Sequence, residues 1–331
     1  MKRYVSVAFL LSIFTFLLVG CASGDDNETT SEGKLTIYTT LYPTEYFAER
    51  IGGDAVEAES ILPPGSDAHS FDPTTRTMTE LAESDLFIFN GAGLEGFADT
   101  AKDILDKEGV TTLEASKGID LAETEEGHEE HADHEDEHED HDSHDEGNEE
   151  HHDHDHGNVD PHVWIDPIFA IEQARNIKEA LIELKPDQEE AFEANFTELE
   201  NDLLELDESF KTLVSNADKK EFLISHDAYG YWEKRYGLEQ LSVTGLSPSQ
   251  EPTQQQLEEI IETAKQFNLQ YMIFEQNVTP KPAKTVQKEL GLETLRIHNL
   301  SVLSEDDIKN EETYLSLMKK NIETLEKALS E

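Results

Sequence analysis

The sequence predicts an α/β protein of two lobes, each built on a largely parallel sheet, joined by a long rigid helix. Three observations carry this. Eight short stretches rich in Val, Ile, Leu, Phe and Tyr recur along the chain, four in each half. Amphipathic helical stretches lie between them, and strands that alternate with helices build parallel sheets. Seven apolar residues at helical spacing then form a stripe between the two halves.

The elements follow in order. Lys2 and Arg3 precede the apolar run YVSVAFLLSIFTFLLVG (4–20), the layout of a secretory signal, short for a spanning helix with polar flanks. LVGC (18–21) resembles a lipobox, at which the bacterial lipoprotein pathway acylates the cysteine and cleaves before it. Residues 1–20 are therefore expected to be a signal peptide, Cys21 a lipidation site, and residues 21–33 a lipidated tether of flexible composition. The location expected is extracytoplasmic, anchored to the cell membrane through Cys21.

KLTIYTT (34–40), EAESILPP (57–64), DLFIFNG (85–91) and VTTLEAS (110–116) read as strands, with helical PTEYFAERIGG and TRTMTELAES between them. EFLISHDA (221–228), LEQLSVTGL (238–246), QYMIFEQN (270–277) and ETLRIHNL (293–300) repeat the pattern, with TQQQLEEIIETAKQF and PKPAKTVQKEL as intervening helices. Between the halves, Phe192, Phe196, Leu199, Leu203, Leu206, Phe210 and Leu213 share one helical face. Pro186 precedes them, and Asp187 with Glu190 has capping-box spacing. A helix over 188–214 spans roughly 40 Å at 1.5 Å per residue. The stripe would also suit a coiled-coil dimer. An intramolecular strut is favoured, because the stripe lasts barely four heptads and joins two α/β segments. This divides the chain into an N-terminal lobe (34–185), a linker helix (186–215) and a C-terminal lobe (216–331), and a monomer is expected.

Charge and cysteine count narrow the chemistry. The formal net charge is −49, and residues 123–155 hold eighteen acidic side chains with no Lys or Arg. Such a chain attracts cations and is excluded as a nucleic-acid binder. Cys21 is the only cysteine, so the exported part has no disulfide and no thiolate zinc site. A metal site there must use His, Asp or Glu.

Ten of the fourteen histidines crowd into 128–156: His128, His131, His134, His138, His141, His144, His151, His152, His154 and His156. HEDEH (134–138) matches the H-E-x-x-H protease pattern, but no apolar residue is present to pack a helix, so the match is compositional. The loop 123–158 is expected to be disordered, an accessory collector of weakly held metal. The other four histidines stand apart. His69 follows a strand in the loop ILPPGSDAHSFDPT; His162 lies in DPHVWIDP; His226 ends the strand of FLISHDAYGYW; His298 ends the last strand. Ligand sites of open α/β sheets form outside the carboxyl ends of strands. A lone histidine is more often a buried, hydrogen-bonded one. His69, His162 and His226 converging on a cleft between the lobes would make a three-imidazole site suited to zinc.

PGSDAHSFDPT, DPHVWIDP, EFLISHDAYGYW, GLSPSQEPT and YMIFEQN resemble, in that order, motifs of the zinc-uptake solute-binding lipoproteins of ABC transporters, a class with manganese-binding relatives. The similarity runs from residue 34 to the C-terminus. It implies two α/β lobes joined by a long helix with Zn2+ as transported ligand in the cleft, and His69, His162 and His226 as ligands. It also implies an ABC permease as partner and a His-rich loop where the acidic tract stands. Relatives place a carboxylate in the last strand-end loop, whereas this chain has Ser301. Water, Glu275, Asp67 or His298 could then complete the site. A missing carboxylate favours zinc over manganese. The function expected is capture of zinc for import, without catalysis. The alternatives are another divalent cargo such as manganese, or a zinc hydrolase, since three histidines and a water also make a catalytic layout.

Overall fold

The computed structural model describes residues 33–123 and 159–330. Cys21 and the ten tract histidines lie outside the described residues, as does the expected signal peptide. All eight strands and the long helix are present.

The first half runs β1 (Leu35–Thr39), α1 (Tyr42–Gly52), β2 (Val56–Ser60), α2 (Thr75–Ala82), β3 (Leu86–Phe89), α3 (Ala98–Glu108) and β4 (Thr111–Glu114). Two helices follow, α4 (Pro167–Leu184) and α5 (Glu189–Asn216). The second half runs β5 (Glu221–His226), α6 (Gly230–Tyr236), β6 (Glu239–Thr244), α7 (Gln254–Gln266), β7 (Tyr271–Glu275), α8 (Lys281–Leu290) and β8 (Glu293–Ile297). It closes with α9 (Glu305–Lys309) and α10 (Tyr314–Leu329).

Every strand pairing within the two sheets is parallel, in the orders β2-β1-β3-β4 and β6-β5-β7-β8. The two orders are the same in form. Each sheet therefore has a topological switch point at the carboxyl ends of its two central strands, where the chain's crossovers leave in opposite directions and open a crevice. β3 (LFIF) and β7 (YMIFE) are buried at every residue. They are central strands covered on both faces, which explains their unbroken apolar runs.

The stripe on α5 is wholly buried, from Phe192 to Leu213. It packs against α1 and α4 of the first half and against α6 and α10 of the second. The apolar face is thus consumed within the chain and leaves no dimer seam. The capping box expected of Asp187 and Glu190 does not form. Pro186–Gln188 makes a 3-10 turn that runs into the helix, Gln188 becomes the cap residue, and Asp187 accepts from the Gln188 side chain at 3.0 Å. Proline opens a 3-10 turn there, and no side chain caps the first helical N–H groups.

One continuous apolar core serves both sheets. It includes Phe47 and Trp164 from the first half and Trp232, Ile273 and Tyr314 from the second, with Phe210 of α5 between. Tyr314, at the start of α10, sets its ring edge to Phe47 at 5.1 Å and stacks on Tyr46 at 5.9 Å. No helix among the described residues is long and apolar enough to cross a membrane.

Candidate metal centre

His226 is the last residue of β5, at the switch point of the second sheet. Glu275 ends the neighbouring strand β7 and is fully buried. The two meet at 3.0 Å, His226 Nδ1 to Glu275 Oε1. Tyr229 donates its hydroxyl to the same oxygen, and Asn299 Nδ2 donates to Oε2, each at 3.1 Å. Three donors thus surround a carboxylate that has no contact with water. With Nδ1–H given to Glu275, Nε2 is the nitrogen left for a metal, as where a carboxylate stands behind a metal-binding imidazole. Burial opposes a charge on His226, but Glu275 outweighs it and holds the pKa above its ordinary value. Burial likewise raises Glu275, and the His226 charge and hydrogen bond overrule it, leaving the carboxyl below its ordinary value. Nε2 lies 2.8 Å from Leu246 O. A proton on Nε2 would point at that carbonyl, and a cation bound at Nε2 takes its place.

His162 stands in a tight strap, residues 160–166. Its backbone N and its Nδ1 both donate to Asp160 Oδ1, at 2.9 and 2.7 Å. This again leaves Nε2 to face the centre. The strap belongs to the first half by sequence, yet the second half holds most of it. Tyr231 donates to Asp160 O at 2.6 Å, Trp164 Nε1 to Asn299 O at 2.7 Å, Tyr314 to Trp164 O at 2.6 Å and Trp232 Nε1 to Ile165 O at 2.8 Å. Arg235 pairs with Asp166, which also caps α4 by accepting from Ile168 N and Phe169 N. From the first sheet, Asn90 Nδ2 donates to Pro161 O at 3.0 Å.

His69 comes from the loop after β2. Asp67 folds that loop on itself, accepting from His69 N and from the Ser70 hydroxyl, each at 3.1 Å. Asn277 Nδ2 donates to Ser66 O across the crevice. Burial, with His162 and His226 adding repulsion, pushes the His69 pKa down to about 2. Its ring is neutral at any ordinary pH.

The three rings meet with centroids 5.1, 5.5 and 5.1 Å apart, and their ligating nitrogens lie within 4.8 Å of one another. His69 Nε2 and His162 Nε2 are 3.1 Å apart. The cavity they line holds about 10 Å³. That is about the volume of one water-sized sphere, room for an ion and little else.

The remaining sequence candidates fall elsewhere. Glu275 backs His226 and is not in the ligating group. Asp67 orders its own loop at the cavity wall. His298 is a structural histidine: Nδ1 accepts from Leu300 N at 2.9 Å, so Nε2 carries the proton and faces Asp307 Oδ2 at 3.2 Å. β8 is the edge strand of its sheet, and His298 does not line the cavity. Ser301 lines the cavity but turns its hydroxyl to Asn299 Oδ1 at 2.9 Å. Sequence reasoning passed over Asp160, Asn277 and Asn299. Asp160 had a signal, an Asp two residues before a His, the spacing of an Asx turn. The acidic tract leaves and rejoins the fold beside this strap: Glu123 bridges Val159, and Asp160 N donates to Ala122 O at 2.8 Å.

Two parallel sheets on a helical spine, with imidazoles gathered at a crevice between them, define the class as a solute-binding protein. The chain belongs to the family described as zinc-uptake complex component A, periplasmic, whose signature covers residues 37–328. It is 33% identical over 319 residues to the zinc-binding lipoprotein AdcA of Streptococcus pneumoniae, covering 96% of this chain and 59% of that protein. The chain thus spans about three-fifths of those streptococcal relatives. It is also 33% identical to the high-affinity zinc uptake system protein ZnuA of Bacillus subtilis, covering 95% of this chain and 94% of that one. The crystal structure of the Zn(II)-bound ZnuA-like domain of S. pneumoniae AdcA superposes with a TM-score of 0.71 at 30% identity, over 90% of this chain and all of that one.

Proposed function

We propose that this protein captures one zinc ion outside the cytoplasm and delivers it to an ABC permease for import, with His69, His162 and His226 as ligands. One observation carries the reading: three buried or half-buried imidazoles around a cavity of about 10 Å³. Their donors are all nitrogen, a set that suits zinc and serves manganese poorly. Asp160 and Glu275 fix two of the rings as a metal site requires. The relatives named for zinc binding and zinc uptake support the same cargo.

The hydrolase reading is disfavoured, because a cavity of this size admits no organic substrate beside the ion, and the family is one of transport. The lobe limits, the lipid anchor at Cys21 and the monomeric state belong to this same proposal. Metal analysis and calorimetry of the purified protein test it. One tight zinc per chain, lost in His226→Ala, is the expected result. Tight binding that survives His69→Ala and His226→Ala together would place the ion elsewhere.

A further inference from the structure

Asn277 stands two residues beyond the end of β7, on the wall of the three-histidine cavity. Its amide nitrogen donates to Ser66 O at 3.1 Å. Its amide oxygen is buried and has no hydrogen-bond partner among the described residues. Turning the amide over would set that oxygen against the Ser66 carbonyl, so the orientation is fixed. Buried polar atoms without partners are few in folded proteins, and each points to a water or an ion that serves it.

The rest of the wall offers the ion no fourth ligand. Ser301 is turned to Asn299, Asp67 holds its own loop, and Glu275 is enclosed by His226, Tyr229 and Asn299. Zinc on three imidazoles takes a fourth ligand, and in so small a cavity a water is the smallest one that can serve. A water on zinc is acidified, and its hydrogens need a strong acceptor. Resting on the three-histidine reading above, the geometry points to Asn277 Oδ1 as the acceptor for a water at the ion's fourth position. Asn277 is then a positioning residue that sets metal preference in place of the carboxylate absent at Ser301.

The two halves of the amide can be tested apart. Asn277→Leu removes both the oxygen and the donor to Ser66, while Asn277→Asp keeps the oxygen, replaces the donor to Ser66 with a second oxygen and adds a negative charge. The full-length protein is given one equivalent of Co2+ as a spectroscopic probe, and Zn2+ and Mn2+ affinities are measured by competition. Asn277→Leu should shift the visible Co2+ bands and weaken zinc by about 10–100-fold, the usual cost of losing an outer-shell partner. Asn277→Asp should keep zinc within about threefold and raise manganese affinity relative to zinc, since an oxygen anion enters the wall. If Asn277 only ties down the Ser66 loop, the two variants behave alike, and the proposal is overturned. It is overturned equally if Asn277→Leu leaves bands and affinity unchanged. Thermal melting of the metal-free variants shows that both fold. His69→Ala and His226→Ala serve as controls. If neither alters the wild-type bands, the three-histidine reading itself has failed, a result distinct from failure of Asn277 alone.

Discussion

His226 and Glu275 lie forty-nine residues apart in the chain and 3.0 Å apart in the fold, at the ends of two adjacent parallel strands. The carboxylate is fully buried and takes three hydrogen bonds. Its position makes it the group that sets the direction and basicity of the His226 ring. Glu275→Gln keeps the shape and removes the charge. Zinc affinity, measured by competition with a chelator, is expected to fall about 10–100-fold. An unchanged affinity would show that the ring is oriented by its packing alone.

Proton release follows from the same pair. Near neutrality His69 is a neutral imidazole, its pKa being about 2, whereas Glu275 favours the charged form of His226, whose Nε2 faces Leu246 O. Zinc binding at pH 7 should release the His226 proton, read by calorimetry in buffers of different ionisation enthalpy. The tract must be deleted first, since its ten histidines titrate in the same range. Glu275→Gln should release fewer protons, because the cause of the raised pKa is gone. Equal release in both proteins would contradict the assignment.

Metal-free stability should depend on pH through two opposed histidines. The folded pKa of His226 is above its ordinary 6.5, so its contribution is full below 6.5 and is lost as pH rises through the raised value. Glu275 is depressed below 4.5, so its contribution is present above 4.5 and lost as pH falls through the folded value. His69 is depressed from 6.5, so the unfolded chain gains a proton that the fold refuses, and stability falls below pH 6.5. Relative to wild type, His69→Ala should flatten the acid limb of a melting-temperature profile, and His226→Ala the alkaline limb. The opposite pattern would reverse the two assignments.

His298→Ala should separate structure from metal binding. The ring bonds Leu300 N and Asp307 and is nearly buried. Its loss leaves buried groups unpaired and should cost about 1–3 kcal/mol of stability by denaturant unfolding. Zinc affinity should stay within about threefold. A loss of affinity as large as that of His226→Ala would bring His298 back into the site.

Deleting residues 123–157 should remove weakly held metal and keep one tight equivalent. Ala122, which the deletion keeps, already accepts from Asp160 N at 2.8 Å, so the strap carrying His162 need not move. Titration calorimetry that finds tight binding lost with the tract would refute this division.

Much of the fold was legible because its causes are local. β7 reads as a strand from the run YMIFE, and its central, doubly covered place in the sheet explains why that run is unbroken. α5 reads as a helix from the 4-3 spacing of Phe192 to Leu213, and its partners could only be inferred. The cap at Asp187 was misread because a proline turn, decided by backbone geometry, took precedence over the spacing of a motif.

The histidines show where local information ends. His226 and His298 both stand at the ends of apolar strands, and nothing beside them in the chain tells a ligand from a structural ring. Tertiary placement decides it: His226 faces the cavity, whereas His298 turns to Leu300 N and Asp307. The same holds for Glu275, Asn277 and Asn299, whose roles depend on atoms brought from distant segments. The sequence by itself determined the elements, the absence of a thiolate site and the supply of imidazoles, because propensity, spacing and residue chemistry travel with the chain. Which imidazoles meet, which carboxylates stand behind them and how small the space between them is were decided by tertiary structure. Those are matters of distance and burial, and hydrogen bonding and charge act over a few ångströms of space regardless of separation along the chain.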